Sequence, residues 1–285
     1  MTAIKVPGSG RSVLGEGPSW SARENAVFWV DILGKRLNRL SLADGAVTGW
    51  DMPRNIGWVV ERADRPGFIA GFDTGFVELD LDPFAIRPIA DPEPDLPLNR
   101  MNDAKADPTG RIWAGTMPYS CEGDVGAFYR LDTDLSWTKV DAPYCIPNGP
   151  AIAADGRTML HTDTARGTIY RYTIHDDGSL SPRTEFIRFE DDWGSPDGMT
   201  FDAEGCLWVG HWGTGQLSRF DPAGKRISFI AMPASQITSC TFAGPELDRM
   251  FVTSAADGRD DEPDAGALFE VEPGVKGLPT LPFRG

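Results

Sequence analysis

The sequence is poor in the residues that build many familiar active sites and membrane segments. It has three histidines in 285 residues, and its four cysteines, Cys121, Cys145, Cys206 and Cys240, include no CxxC pair. A thiolate zinc knuckle is therefore not expected, whereas reduced, mostly structural thiols are. No apolar run approaches the roughly 18 residues that span a bilayer, and Met1 to Ser12 holds no apolar core of signal-peptide length, so a cytoplasmic chain is expected. Basic residues are outnumbered, 27 against 42 acidic, for a net charge of -15. Such a field repels nucleic acid and anionic membranes, leaving a small neutral molecule as the expected partner and a monomer as the expected state. There is no G-x-S-x-G elbow, P-loop, dinucleotide fingerprint or H-E-x-x-H helix.

What the chain does contain is 32 glycines, 23 prolines and nine tryptophans, without a long alanine- or leucine-rich stretch. This is the composition of short aromatic strands joined by tight turns, an all-β chain. One unit recurs: a polar turn, an apolar strand, then a second strand with Leu, Tyr or Phe. It is clearest at Asp107-Pro108-Thr109-Gly110-Arg111-Ile112-Trp113 and Asp202-Ala203-Glu204-Gly205-Cys206-Leu207-Trp208. The turns begin at 21, 64, 107, 153, 202 and 245, with spacings of 43, 43, 46, 49 and 43 residues. That period is one four-stranded blade, so the expectation is a six-bladed β-propeller filling residues 1–285 as one domain. A two-sheet sandwich also has many short strands but does not account for six copies. Ring closure removes exposed edges, so the stretch before Leu14 is expected to supply the outer strand of the last blade. Trp29, Trp113 and Trp208 are expected between blades, and His161 inside a strand. Trp58, Trp212 and His211 are candidates for the pocket wall or mouth, with core packing as the competing reading.

In a propeller, the innermost strands line the axis, so equivalent positions of different repeats meet there. Five residues before each turn stand Glu16, Val59, Asn102, Asn148, Asp197 and Cys240. Four of the six carry oxygen donors. Asn-Gly and Asp-Gly pairs are also ordinary turn formers, and it is the shared offset that singles these out. Two carboxylates and two amide oxygens make a hard environment suited to calcium, magnesium or manganese, with zinc or ferrous iron also compatible.

The segments Leu14-Gly15-Glu16-Gly17-Pro18, Asn99-Arg100-Met101-Asn102-Asp103, Asp107 to Met117, Asn148-Gly149-Pro150, His161-Thr162-Asp163-Thr164, Ser195-Pro196-Asp197-Gly198 and Thr238-Ser239-Cys240 together resemble the sugar lactone lactonases that include gluconolactonase and regucalcin, also called senescence marker protein 30. The resemblance implies a six-bladed propeller with one divalent metal on Glu16, Asn148 and Asp197, its identity open among Ca, Mn, Zn and Fe(II). It implies sugar contacts from Arg100 and Asn102, with Glu122 of the segment Tyr119 to Val125 as a third candidate. Ala104 stands where the family often has glycine. The implied reaction is metal-dependent hydrolysis of an aldonolactone, with Asp197 as general base and a water held by Asn102 or Asp103 as its rival. Broad esterase or phosphotriesterase activity and a non-enzymatic calcium-binding regulatory propeller are the alternatives.

Overall fold

The computed structural model describes residues 2–285. Six four-stranded antiparallel sheets stand around one axis. The first contains β2 (Gly15–Ser21), β3 (Ala26–Asp31), β4 (Arg36–Ser41) and β5 (Val47–Asp51), and the second β6 (Ile56–Glu61), β7 (Phe68–Phe72), β8 (Gly75–Leu81) and β9 (Phe84–Ala90). The third holds β10 (Asn99–Ala106), β11 (Ile112–Pro118), β12 (Gly126–Leu131) and β13 (Trp137–Tyr144). The fourth holds β14 (Pro147–Ile152), β15 (Thr158–Asp163), β16 (Thr168–Thr173) and β17 (Thr184–Arg188). The fifth holds β18 (Ser195–Phe201), β19 (Leu207–Trp212), β20 (Gln216–Phe220) and β21 (Arg226–Ala231). The sixth combines β22 (Ile237–Ala243), β23 (Arg249–Ser254) and β24 (Phe269–Val271) with β1 (Ile4–Lys5) from the other end of the chain. Ile4 pairs with Glu270 and Lys5 with Phe269, so the N-terminal strand is the outer edge of the last blade, as the closure argument requires.

The recurring Asp-x-x-Gly-x-x-Trp unit has a direct physical basis. Asp107 Oδ1 accepts the N–H groups of Thr109 at 2.8 Å and Arg111 at 3.1 Å, while its Oδ2 accepts Trp113 Nε1 at 3.0 Å. Asp202 repeats the arrangement with Glu204, Cys206 and Trp208 Nε1, each at 2.9 Å. One carboxylate thus closes the turn and satisfies an indole N–H that burial would otherwise orphan.

Strand alternation does the rest. In β3, Ala26, Phe28 and Val30 pack toward the second blade, while Val27 and Trp29 pack toward the sixth. Buried apolar residues form six clusters, one at each blade-to-blade contact, so the core is a ring around the axis. Trp29, Trp113 and Trp208 are buried in it as expected. Trp58 and His211 are buried there too, which is the packing reading and not the pocket one. Trp58 packs against Phe76, and His211 lies beneath Phe189 and Trp193 with Nδ1 2.7 Å from the Trp193 carbonyl.

The end of the chain crosses the far end of the axis. Gly277 bridges Asp202, and Phe283 pairs with Arg62. Between them, Leu278 to Leu281 close a cavity of about 80 Å³ whose other walls include Ser19, Val60, Lys105, Ile152, Thr200 and Thr241. The inner strands begin at the opposite end of the axis.

Candidate functional site

At that end, each inner strand departs from regular pairing. The register jumps between Glu16 and Ser19, Ile56 and Trp58, Met101 and Ala104, Asn148 and Ala151, Pro196 and Met199, and Ile237 and Cys240. In five of the six strands, two residues stand opposite one. Asn102 and Asp103 face Gly115, and Asp197 and Gly198 face Gly210. A bulge bends its strand and re-aims a side chain, here toward the axis. Gly149, at φ 80°, takes the left-handed conformation that such a bend demands, and its N–H donates to Asp103 Oδ2 at 2.9 Å.

Glu16, Arg100, Asn102, Asp103, Asn148 and Asp197 are all buried, none more than 5 % exposed. A chain of hydrogen bonds orders them. Arg100 Nη1 donates to Asn102 Oδ1 at 2.6 Å, and Asn102 Nδ2 donates to Asn148 Oδ1 at 2.9 Å and to the Pro147 carbonyl at 2.8 Å. Asn148 Nδ2 donates to Thr164 Oγ1 at 2.8 Å, and the Thr164 hydroxyl donates to the Pro196 carbonyl at 2.7 Å. Thr164 thereby turns the Asn148 amide so that its oxygen faces Asn102. Thr164 stood in a quoted segment, but nothing in its spacing announced this role.

The electrostatics are unusual for so small a volume. Burial pushes the Glu16 carboxyl up to about 8, and Asp103 adds to the rise; the Gly17 N–H, 2.9 Å from Oε2, with Arg100 and Lys105, works the other way. Asp197 is held well above the carboxylate range by burial and then by Glu16 and Asp103. Its Oδ1 is buried without a hydrogen-bond partner. An orphaned carboxylate oxygen beside a second buried carboxylate is costly unless a cation completes the set.

Among the described residues, no three His, Cys, Asp or Glu side chains converge to hold a metal. The set at the axis is of another kind: Glu16 and Asp197 carboxylates with the Asn148 amide oxygen, an all-oxygen group that fits a hard divalent cation. Asn102 is committed to Arg100, Pro147 and Asn148, which suits it to orientation.

The remaining candidates separate. Arg100 lies 6.0 Å from the centre of the Tyr119 ring, at the pocket rim. Glu122 is exposed on the segment between β11 and β12, where its backbone N–H meets Ser120 Oγ at 3.3 Å; the structure does not bury it with the others. Val59 and Cys240, which shared the sequence offset, lie past the bulges within apolar packing. His161 is fully buried, stacked 3.9 Å from Phe128, and burial lowers it to about 3, so it stays neutral.

Comparison with known proteins identifies the family and the fold. Residues 14–256 match the family described as SMP-30/Gluconolactonase/LRE-like region. The chain is 35 % identical to regucalcin of Gallus gallus over 100 % of both chains, and 36 % identical to a pentonolactonase of Haloferax volcanii over 93 % of both. The crystal structure of a calcium-binding protein, regucalcin, from Agrobacterium tumefaciens superposes with a TM-score of 0.93 at 31 % identity, covering 99 % of this chain and 97 % of that one. By sequence and fold, the chain belongs to the SMP-30/gluconolactonase/LRE-like family.

Proposed function

We propose that the chain hydrolyses a sugar lactone, a pentonolactone or hexonolactone, to its aldonic acid, with one divalent metal ion held by Glu16, Asn148 and Asp197. The observation that carries this reading is the unpartnered, buried Asp197 Oδ1 beside buried Glu16, in a chain 36 % identical to a pentonolactonase. When bound, the ion supplies Lewis-acid polarisation of the carbonyl and lowers the pKa of a water.

The chain's residues do the remainder. Asp197 takes the proton of the attacking water at a carboxylate oxygen and returns it to the ring oxygen as the acyl C–O bond breaks. Arg100 donates to sugar hydroxyls and then to the carboxylate that appears; its guanidinium is already aimed by Asn102. A site built of buried polar donors disfavours an alkyl lactone, which would leave those donors unpaired. The small neutral substrate matches a chain of net charge -15.

Asp197→Asn and Arg100→Met separate the two roles. Asp197→Asn is expected to weaken metal binding and abolish turnover. Arg100→Met is expected to retain metal binding while kcat/KM falls about a hundredfold, the loss of roughly 2.7 kcal/mol of transition-state stabilisation. Full turnover by Asp197→Asn would sink the assignment.

A further inference from the structure

Two of the four cysteines lie at the end of the axis where the inner strands begin, and they are unlike each other. Cys121 is exposed, at φ 56°, in the segment Tyr119 to Val125 that rims Arg100. Cys145 is buried immediately before β14, the strand that carries Asn148. Cys145 Sγ donates to the Cys121 carbonyl oxygen at 3.5 Å. Bond lengths put a carbonyl oxygen about 2.4 Å from its own Cα, so Cys145 Sγ is within about 6 Å of the Cys121 Cα. In a disulfide each Sγ lies about 3–4.5 Å from the partner's Cα, so closure asks the Cys121 side chain to rotate and its exposed segment to shift by up to about 3 Å. That segment is already tethered on the correct side. Arg166 joins Asp124 at 2.6 Å and Asp163 at 3.2 Å, and the Asp163 carboxylate accepts the Cys145 N–H at 3.4 Å.

We propose that Cys121 and Cys145 are a thiol modification site, closed to a disulfide by exchange with a small dialkyl disulfide such as oxidised glutathione, and that the bond fixes the Tyr119 to Val125 segment over the axial pocket. The two thiols take different parts. The Cys121 thiolate, in solvent, attacks one sulfur of the external disulfide; that S–S bond breaks, one thiolate leaves, and a mixed disulfide forms on Cys121. Cys145 then loses its proton to solvent and attacks the Cys121 sulfur, releasing the second thiolate. Two protein thiols become one disulfide, and the external disulfide takes up their two electrons as two thiols. Burial, and then Asp163 and Asp124, raise the Cys145 thiol, so it is the poorer first nucleophile and acts once the mixed disulfide is beside it. Cys206 and Cys240 are buried and serve as internal controls.

The test treats the full-length chain with oxidised glutathione, blocks free thiols, and maps peptides by mass spectrometry without reduction. The expected product is a Cys121–Cys145 peptide pair, two hydrogens lighter, with no glutathione retained. Cys145→Ser is expected to keep one glutathione on Cys121, and Cys121→Ser none. Amide exchange in residues 119–125 should slow on closure and recover with dithiothreitol. Glutathione retained on wild-type Cys121 with Cys145 free, or no reaction under conditions in which the unfolded chain reacts, would overturn the proposal. Lactone turnover is read on the same samples. Its fall on closure and return on reduction are expected and rest on the proposed lactonase activity, whereas bond formation does not. A mapped bond in a chain that turns over no lactone in either state therefore counts against the activity and not against the bond.

Discussion

A cation entering this site must displace protons, and that makes a sharp prediction. In the metal-free chain, burial and Asp103 place the Glu16 carboxyl at about 8, so at pH 7 it is roughly nine-tenths protonated. Asp197 is raised as well, by burial and by Glu16. A divalent ion binds the carboxylate forms only, so calcium or manganese binding at pH 7 is expected to release between about one and two protons. Affinity should tighten about tenfold or more for each pH unit between 5.5 and 7.5. Calorimetry in buffers of different ionisation enthalpy reads the proton number directly. The linked effect on folding has a definite sign. Because the folded Glu16 value is raised, its contribution is present in full below 4.5 and is lost as pH rises through 8. The interval from 4.5 to about 8 is worth at most ~5 kcal/mol, at ~1.4 kcal/mol per tenfold step. The metal-free chain should therefore lose stability to urea between pH 5 and 8.5, and the metal-saturated chain should not. His161 and His211, both lowered by burial, act in the opposite sense below 6.5, but equally with and without metal, so the difference between the two curves isolates the axial carboxyls. Metal binding with no proton release and a flat pH dependence would refute the electrostatic account of the site.

Three further outcomes test the scaffold. Asp107→Ala should cost roughly 3 kcal/mol in urea unfolding, because it opens a turn and orphans Trp113 Nε1; Asp107→Asn, which keeps an acceptor oxygen, should cost less. Phe283→Ala should cost about 3–5 kcal/mol, since this residue is 1 % exposed in the core between the second and third blades, and an unchanged midpoint would mean the C-terminal segment is not part of that core. His161→Phe should leave lactone turnover and its pH profile unchanged, because neither ring nitrogen has a partner; a lost basic limb would return His161 to the chemistry.

The blades were legible because one carboxylate links turn and tryptophan at a fixed spacing, as at Asp107 and Asp202, and closure followed from the need to cover a strand edge. The axial residues were legible through their common offset, yet that offset merged two positions. Glu16 and Asn148 precede their bulges, whereas Asn102 and Asp197 lie within theirs, and a two-for-one register leaves no mark in residue type. The same ambiguity carried Val59 and Cys240 into the set. Trp58 and His211 illustrate a different limit. Each stands beside glycine in a stretch that reads as a pocket rim, but the glycine serves close packing: a Cβ on Gly57 would lie 2.7 Å from the Met101 carbonyl, and one on Gly210 would lie 2.9 Å from that of Thr238. The closing segment from 274 to 285 has no strand periodicity, because it is held by single bridges to several blades.

The central claim is tested most directly by acid release at constant pH from a panel of pentono- and hexonolactones, using metal-stripped protein and protein restored with calcium, manganese, zinc or ferrous iron. The account predicts turnover well above spontaneous hydrolysis that appears only on restoration and is absent in Asp197→Ala. Tight metal binding with no acceleration of any lactone by any of the four ions would contradict it, and would leave a metal-binding propeller without this activity.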